Sequence, residues 1–135
     1  MLRGRNAKLD VTDNKLKTPL HWAAETGSVK VMEKMLEADR FLDLQVKDRD
    51  GRTPITWAAE KNQVRSLEVL IAHDAHKNVR DGCNWTPMFW AAYNGHVEAV
   101  RYLVGRRVRT DLVDCSNKTA YDWAASPNVK ELLKS

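Results

Sequence analysis

The sequence is short of cysteine: 135 residues contain only Cys83 and Cys115. Two thiols cannot form the disulfide framework of a small secreted scaffold, and they read as free thiols in a reducing compartment. Long apolar runs are also missing, since no stretch nears the roughly 18 residues of a membrane span. The opening MLRGRNAKLD carries Arg3, Arg5 and Lys8 with no apolar stretch after them, so it does not read as a signal peptide. The expectation is an intracellular chain, cytoplasmic or nuclear. Catalytic signatures are absent as well: there is no G-x-x-x-x-G-K loop, no H-E-x-x-H and no G-x-S-x-G. His73 and His76 have no further ligand pair in phase, so they read as solvated loop histidines rather than a metal site. Neither an enzyme nor a cofactor is expected. The charge is only mildly one-sided, +4 with a pI near 9.2, which suits an acidic partner. Asp48, Asp50, Asp81 and Asp114 interrupt the basic residues, which argues against a continuous phosphate track and makes nucleic acid an unlikely partner.

What the chain does have is internal repetition. TPLHWAAETG from Thr18, TPITWAAEKN from Thr53, TPMFWAAYNG from Thr86 and TAYDWAASPN from Thr119 align, with the threonines 35, 33 and 33 residues apart. Each threonine reads as a helix N-cap whose hydroxyl accepts an orphan backbone N–H. Pro19, Pro54 and Pro87 follow at the first helical position, where a missing N–H costs nothing. The alanine pairs 23–24, 58–59, 91–92 and 124–125 allow close helix approach. Gly27 and Gly95, with Asn62 and Asn128 in equivalent places, read as left-handed C-caps. A second helix follows in each unit, with apolar stripes Val29/Met32/Met35/Leu36, Val64/Leu67/Leu70/Ile71 and Val97/Val100/Leu103/Val104.

Between units lies a finger of the form D-x-x-G-x-T, written Asp48–Gly51–Thr53, with Asn84 and Asn117 later replacing the glycine. The first finger has Leu16 at that position. Asn84 and Asn117 also complete N-x-T sequons, which follow from the same replacement. The connection EADRFLDLQVKD is two residues longer than its later equivalents and should bulge around Arg40–Leu42. The last unit lacks the proline and has a short second helix, Val129 to Leu133, as a terminal cap would.

The 33-residue period and the T-P-L-H-x-A motif resemble ankyrin repeats. The likeness covers about Leu9 to Leu133, in one domain over 1–135 with repeats near 14–47, 49–80, 82–113 and 115–135. It implies an all-α solenoid of helix-turn-helix units with β-hairpin-like fingers. It also implies a non-catalytic protein-interaction module whose fingers and first helices line a concave groove. The absence of a capping helix pair before the first unit points to further repeats N-terminal in a longer chain, the whole then being a scaffold fragment. The family likeness casts His21 as a residue that bonds backbone to stiffen a finger, and Asn78 as the match to a finger asparagine hydroxylated in some members.

Trp22, Trp57, Trp90 and Trp123 recur in phase, which reads as a packing column between adjacent units. Trp85 occurs once, on a finger, where a polar or charged residue is usual. It is expected to be exposed and to serve as an interface anchor. Trp85, Trp90 and Trp123, with Tyr93 a helical turn from Trp90, should face one pocket between units three and four. Such a cluster attracts an alkylammonium ion. The segment WTPMFWAAY with Trp123 resembles the methyl-lysine-binding ankyrin domain of the euchromatic histone-lysine methyltransferases, although Tyr93 stands where those proteins have an acid. Arg49, Arg52, Arg80 and Lys118 are the expected steering groups for an acidic protein or linear peptide. The plainer reading of these cations is a solvated charged face. Cys83 and Cys115 fall on adjacent fingers. A helix-stacking distance of roughly 8–10 Å would hold them beyond disulfide reach.

Overall fold

The computed structural model describes residues 16–134. The first residues of repeat one, from 14, therefore lie outside the described part. Among the described residues there are eight helices and no strand: α1 (Pro19–Thr26), α2 (Val29–Ala38), α3 (Pro54–Glu60), α4 (Val64–Ala72), α5 (Pro87–Tyr93), α6 (Val97–Gly105), α7 (Ala120–Trp123) and α8 (Pro127–Leu133). The expected all-α solenoid is what is observed. The inner helices α1, α3, α5 and α7 pack in sequence, and the outer helices α2, α4, α6 and α8 form a second row behind them.

The core explains why the units stack. Ala24, Ala58, Ala59, Ala91 and Ala92 are fully buried, which lets the inner helices approach closely. Met32, Leu67, Leu70, Val100 and Leu103 from the outer-helix stripes fill the second layer. In the fourth unit Ala124 is half-buried and Ala125 is exposed.

Capping follows the expectation in two units out of four. Thr18 and Thr119 accept the amides of His21 and Asp122, and the His21 and Asp122 side chains return a bond to the cap amide. Such reciprocal capping needs an acceptor at the third helical position. Thr56 occupies that position in unit two, and its hydroxyl meets that of Thr53 at 3.3 Å. Phe89 occupies it in unit three and offers no side-chain acceptor to the Thr86 amide; the buried Thr86 hydroxyl has no hydrogen-bond partner either. Asn128 is no C-cap, since it lies inside α8, which starts two residues before the expected Val129 on the Ser126 cap and Pro127. Gly27, Asn62 and Gly95 do take left-handed φ.

Every described finger turn uses a positive φ: Leu16 at 63°, Gly51 at 81°, Asn84 at 63° and Asn117 at 61°. Leu16 thus adopts the turn in spite of its side chain. The long connection turns at Asp39, whose carboxylate accepts the Phe41 amide, and leaves Phe41 88% exposed. Polar ties lace neighbouring units together. His21 accepts the Thr18 amide at Nδ1 (3.0 Å) and donates from Nε2 to the Arg52 carbonyl (2.9 Å), which links unit one to the second finger. Burial lowers the His21 pKa, outweighing the bond to the Arg52 carbonyl and the Asp48 charge, both of which raise it. Gln63 reaches the Glu25 carbonyl, His96 reaches that of Glu60, and the Asn78 side-chain oxygen accepts the Arg109 amide.

Candidate functional site between repeats three and four

The fingers carry a device that the sequence reading passed over. Asp48, Asp81 and Asp114 are buried, and each clamps its own finger to its own inner helix. One carboxylate oxygen accepts two finger amides: those of Asp50 and Arg52, of Cys83 and Trp85, or of Ser116 and Lys118. The other oxygen accepts the indole N–H nine residues on, from Trp57 (2.8 Å), Trp90 (2.9 Å) or Trp123 (2.7 Å). An Asp nine residues ahead of each in-phase Trp was visible in the sequence, from Asp13–Trp22 to Asp114–Trp123. This recurrence could have revealed the clamp.

The in-phase indoles do not form the expected packing column. At the first junction Lys17 Nζ lies between two of them, 3.7 Å from the Trp22 ring centre and 3.8 Å from that of Trp57. At the second junction the Arg52 guanidinium lies between Trp57 (4.6 Å) and Trp90 (3.9 Å). Each cation also pairs with a carboxylate eight residues on, Lys17 with Glu25 at 2.6 Å and Arg52 with Glu60 at 2.7 Å. Partly desolvated cations over indole faces are attracted by the ring quadrupole.

The third junction breaks this pattern at both positions. Trp85 stands where Lys17 and Arg52 stand, and Tyr93, eight residues on, stands where Glu25 and Glu60 stand. An ion pair has become an aromatic pair, with ring centres 5.3 Å apart. The Trp85 ring lies 4.7 Å from Trp90 and 5.5 Å from Trp123, and Tyr93 lies 6.1 Å from Trp123. These four side chains, with Cys83, Asp114, Cys115 and Ser116, line a cavity of about 390 Å³.

Trp85 is not the exposed fingertip expected of it. It is half-buried, stacks on the buried Phe89 at 5.7 Å, and donates its indole N–H to Asp114 at 2.8 Å. The next finger's aspartate reaches it, which sequence order alone does not suggest. Asp114 therefore holds two indoles of the cavity wall. Burial pushes its pKa up, but the Lys118 amide, the Trp85 and Trp123 indoles and the Ser116 amide outweigh that and hold it below the ordinary carboxylate value.

The predicted steering residues divide. Arg49 and Arg80 are exposed on the fingers. Arg52 is committed to Glu60 and two indoles, and Lys118 lies 4.9 Å over Trp123. Arg49 and Arg52 line a second hollow that shares Cys83 and Trp90 with the aromatic cavity. The cysteines also differ from expectation. The Cys115 amide donates to the Cys83 carbonyl at 3.2 Å, so the two backbones adjoin at strand-like rather than helix-like spacing. Both thiols are free and exposed.

His73 caps α4 and His76 is exposed in the following loop. Among the described residues no helix is long and apolar enough to cross a membrane. No curated protein matches the chain. A family model for ankyrin repeats in many copies matches residues 20–71 and again 55–104, more than half of the sequence. With its stacked helix pairs and protruding finger turns, the chain belongs to the ankyrin-repeat family.

Proposed function

We propose that the chain is a non-catalytic interaction module that holds an extended segment of a partner protein along its fingers and inner helices, anchored in the cavity between repeats three and four. Ankyrin repeats are generally protein-interaction modules. The observation that carries the choice of site is the exchange of an ion pair for Trp85 and Tyr93. At the other two junctions the chain fills the space between indoles with its own Lys17 or Arg52. At the third it leaves an aromatic cavity instead. Tryptophan and tyrosine lining such a hollow are favoured anchors. Arg49, Arg80 and Lys118 favour acidic residues flanking the anchor, while Arg52 acts through the wall it supports.

Peptides selected from a random display library against the chain test this reading. Ala at Trp85, Trp90, Tyr93 or Trp123 should each weaken the selected peptides, by about 2 kcal/mol or more at true hot spots. Circular dichroism must show the variants folded. Unchanged affinity in all four removes the cavity from the binding site.

A second reading has its own support. The walls of this cavity are of the kind that hold a cation twice elsewhere in the same molecule, and the Asp114 carboxylate lines it. A methylated lysine presents a weakly hydrated cation to such walls. Tyr93 offers no carboxylate to a remaining N–H, so trimethyllysine is the expected form. Matched peptides with zero to three methyl groups, followed by tryptophan fluorescence, decide this. Equal affinity across the series eliminates methyl reading and leaves the peptide groove standing.

A further inference from the structure

The chain's two cysteines meet at one register of the finger stack, and both line the aromatic cavity. At the preceding junction the equivalent residues are Asp50 and Gly82, joined in the same way by a Gly82 N–H to Asp50 carbonyl bond of 2.9 Å. A Cβ placed on Gly82 would lie 3.3 Å from that carbonyl oxygen, so a side chain at this register points back at the preceding finger. Cys115 occupies this register opposite Cys83. Residues directly opposite in an antiparallel ladder have Cα atoms roughly 4.5–5.5 Å apart, and the Cys115 N–H to Cys83 carbonyl bond brings the two fingers to a comparable approach. Disulfides span roughly 4.4–6.8 Å between Cα atoms. Both thiols are exposed, so a soluble oxidant reaches them.

We infer that Cys83 and Cys115 form a dithiol site, oxidised by low-molecular-weight disulfides to a bridge between fingers three and four that closes down the mouth of the aromatic cavity. In the first step the thiolate of one cysteine attacks a small disulfide, forms a mixed disulfide and expels one small thiolate, which takes up a proton. In the second step the other cysteine attacks the protein sulfur of that mixed disulfide and expels the second small thiol. The protein loses two electrons and two protons, and one small disulfide is reduced to two thiols. The bridge replaces two independent lining side chains by one fixed link, which pins the fingers carrying Trp85 and Lys118. This site depends on finger geometry and not on which ligand the cavity takes.

Incubating the full chain with glutathione disulfide tests the inference. Intact mass should fall by the mass of two hydrogens, and a digest should yield the Cys83–Cys115 linked peptide. Cys83→Ser and Cys115→Ser should each carry a glutathione adduct instead. Acrylamide quenching of tryptophan emission should drop in the oxidised protein, and dithiothreitol should restore it. Two separate adducts on the native chain, a covalent dimer or unreacted thiols would each overturn the dithiol site. A bridge that left quenching unchanged would overturn closure of the cavity.

Discussion

The second and third junctions of this stack use one scaffold to opposite ends. Both clamp an indole with a finger aspartate nine residues earlier, at 2.8 Å for Asp48–Trp57 and 2.9 Å for Asp81–Trp90. Both place a large side chain between successive indoles. At the second junction that side chain is Arg52, neutralised by Glu60, and the space is satisfied internally. At the third it is Trp85, with Tyr93 in place of the acid, and a lined cavity remains. Two residues at a spacing of eight thus replace an internal ion pair by an aromatic pair and leave a lined cavity.

The comparison can be broken most directly by making the third junction a copy of the second. Trp85→Arg with Tyr93→Glu should rebuild the cation between indoles, fill the cavity and abolish binding of library-selected peptides. The drop should be at least about 30-fold by titration calorimetry, the equivalent of a hot-spot loss of ~2 kcal/mol. The helical content should survive. Retained binding would show that the cavity is incidental.

Asp114→Ala should cost more stability than Asp48→Ala, because Asp114 holds two indoles where Asp48 holds one. A loss of about 3 kcal/mol or more is expected at Asp114, from the desolvation of several stranded N–H groups. Urea midpoints of the two variants measure the difference, and equal losses would contradict the double clamp. The depressed pKa of Asp114 has a definite sign. Its stabilisation is present above the unfolded carboxyl pKa near ~3.9 and is lost as pH falls through the lower folded value.

Glu60→Ala tests the filled junction. It leaves Arg52 half-buried between indoles without its counter-charge, and should cost about 1–2 kcal/mol in a urea titration. A cost near zero would mean the indoles alone hold the guanidinium.

A smaller effect belongs to the first junction. Burial lowers the His21 pKa in the folded state, so the unfolded chain binds its proton first as pH falls. Stability should therefore be steady above the unfolded histidine pKa of ~6.5 and decline as pH falls below it toward the folded value. His21→Gln should flatten that decline in denaturant midpoints taken between pH 7.5 and 5. The smallest change is expected of Leu16→Asn, which relieves a left-handed leucine and should stabilise by up to about 1 kcal/mol in a thermal melt.

Much of this architecture was readable in advance. Periodic T-P, Ala-Ala and D-x-x-G-x-T marks report local backbone needs: caps, close approach and positive φ. Such needs are met within a few residues, so Gly51, Asn84 and Asn117 turn as their identities suggest. The aromatic quartet Trp85, Trp90, Tyr93 and Trp123 was also legible, because helix spacing and repeat phase bring those positions together. Their partners were less so. The Trp85–Asp114 bond, the cations lodged between indoles and the Cys83–Cys115 approach all cross from one unit to the next. Asn128 misled for a related reason: Pro127 after the Ser126 cap starts a helix where the repeat alignment placed an ending.

Sequence by itself determined the repeat, its helices and the odd aromatic pair in unit three, since each follows from residue type and spacing along one chain. Tertiary structure alone decided that Arg52 is spent inside the stack, that Asp114 braces two indoles, and that the two thiols share one edge of the cavity. Those outcomes depend on the offset between neighbouring units. Finger backbones stack at hydrogen-bonding distance while the helices behind them sit farther apart, and no one-dimensional pattern specifies that offset.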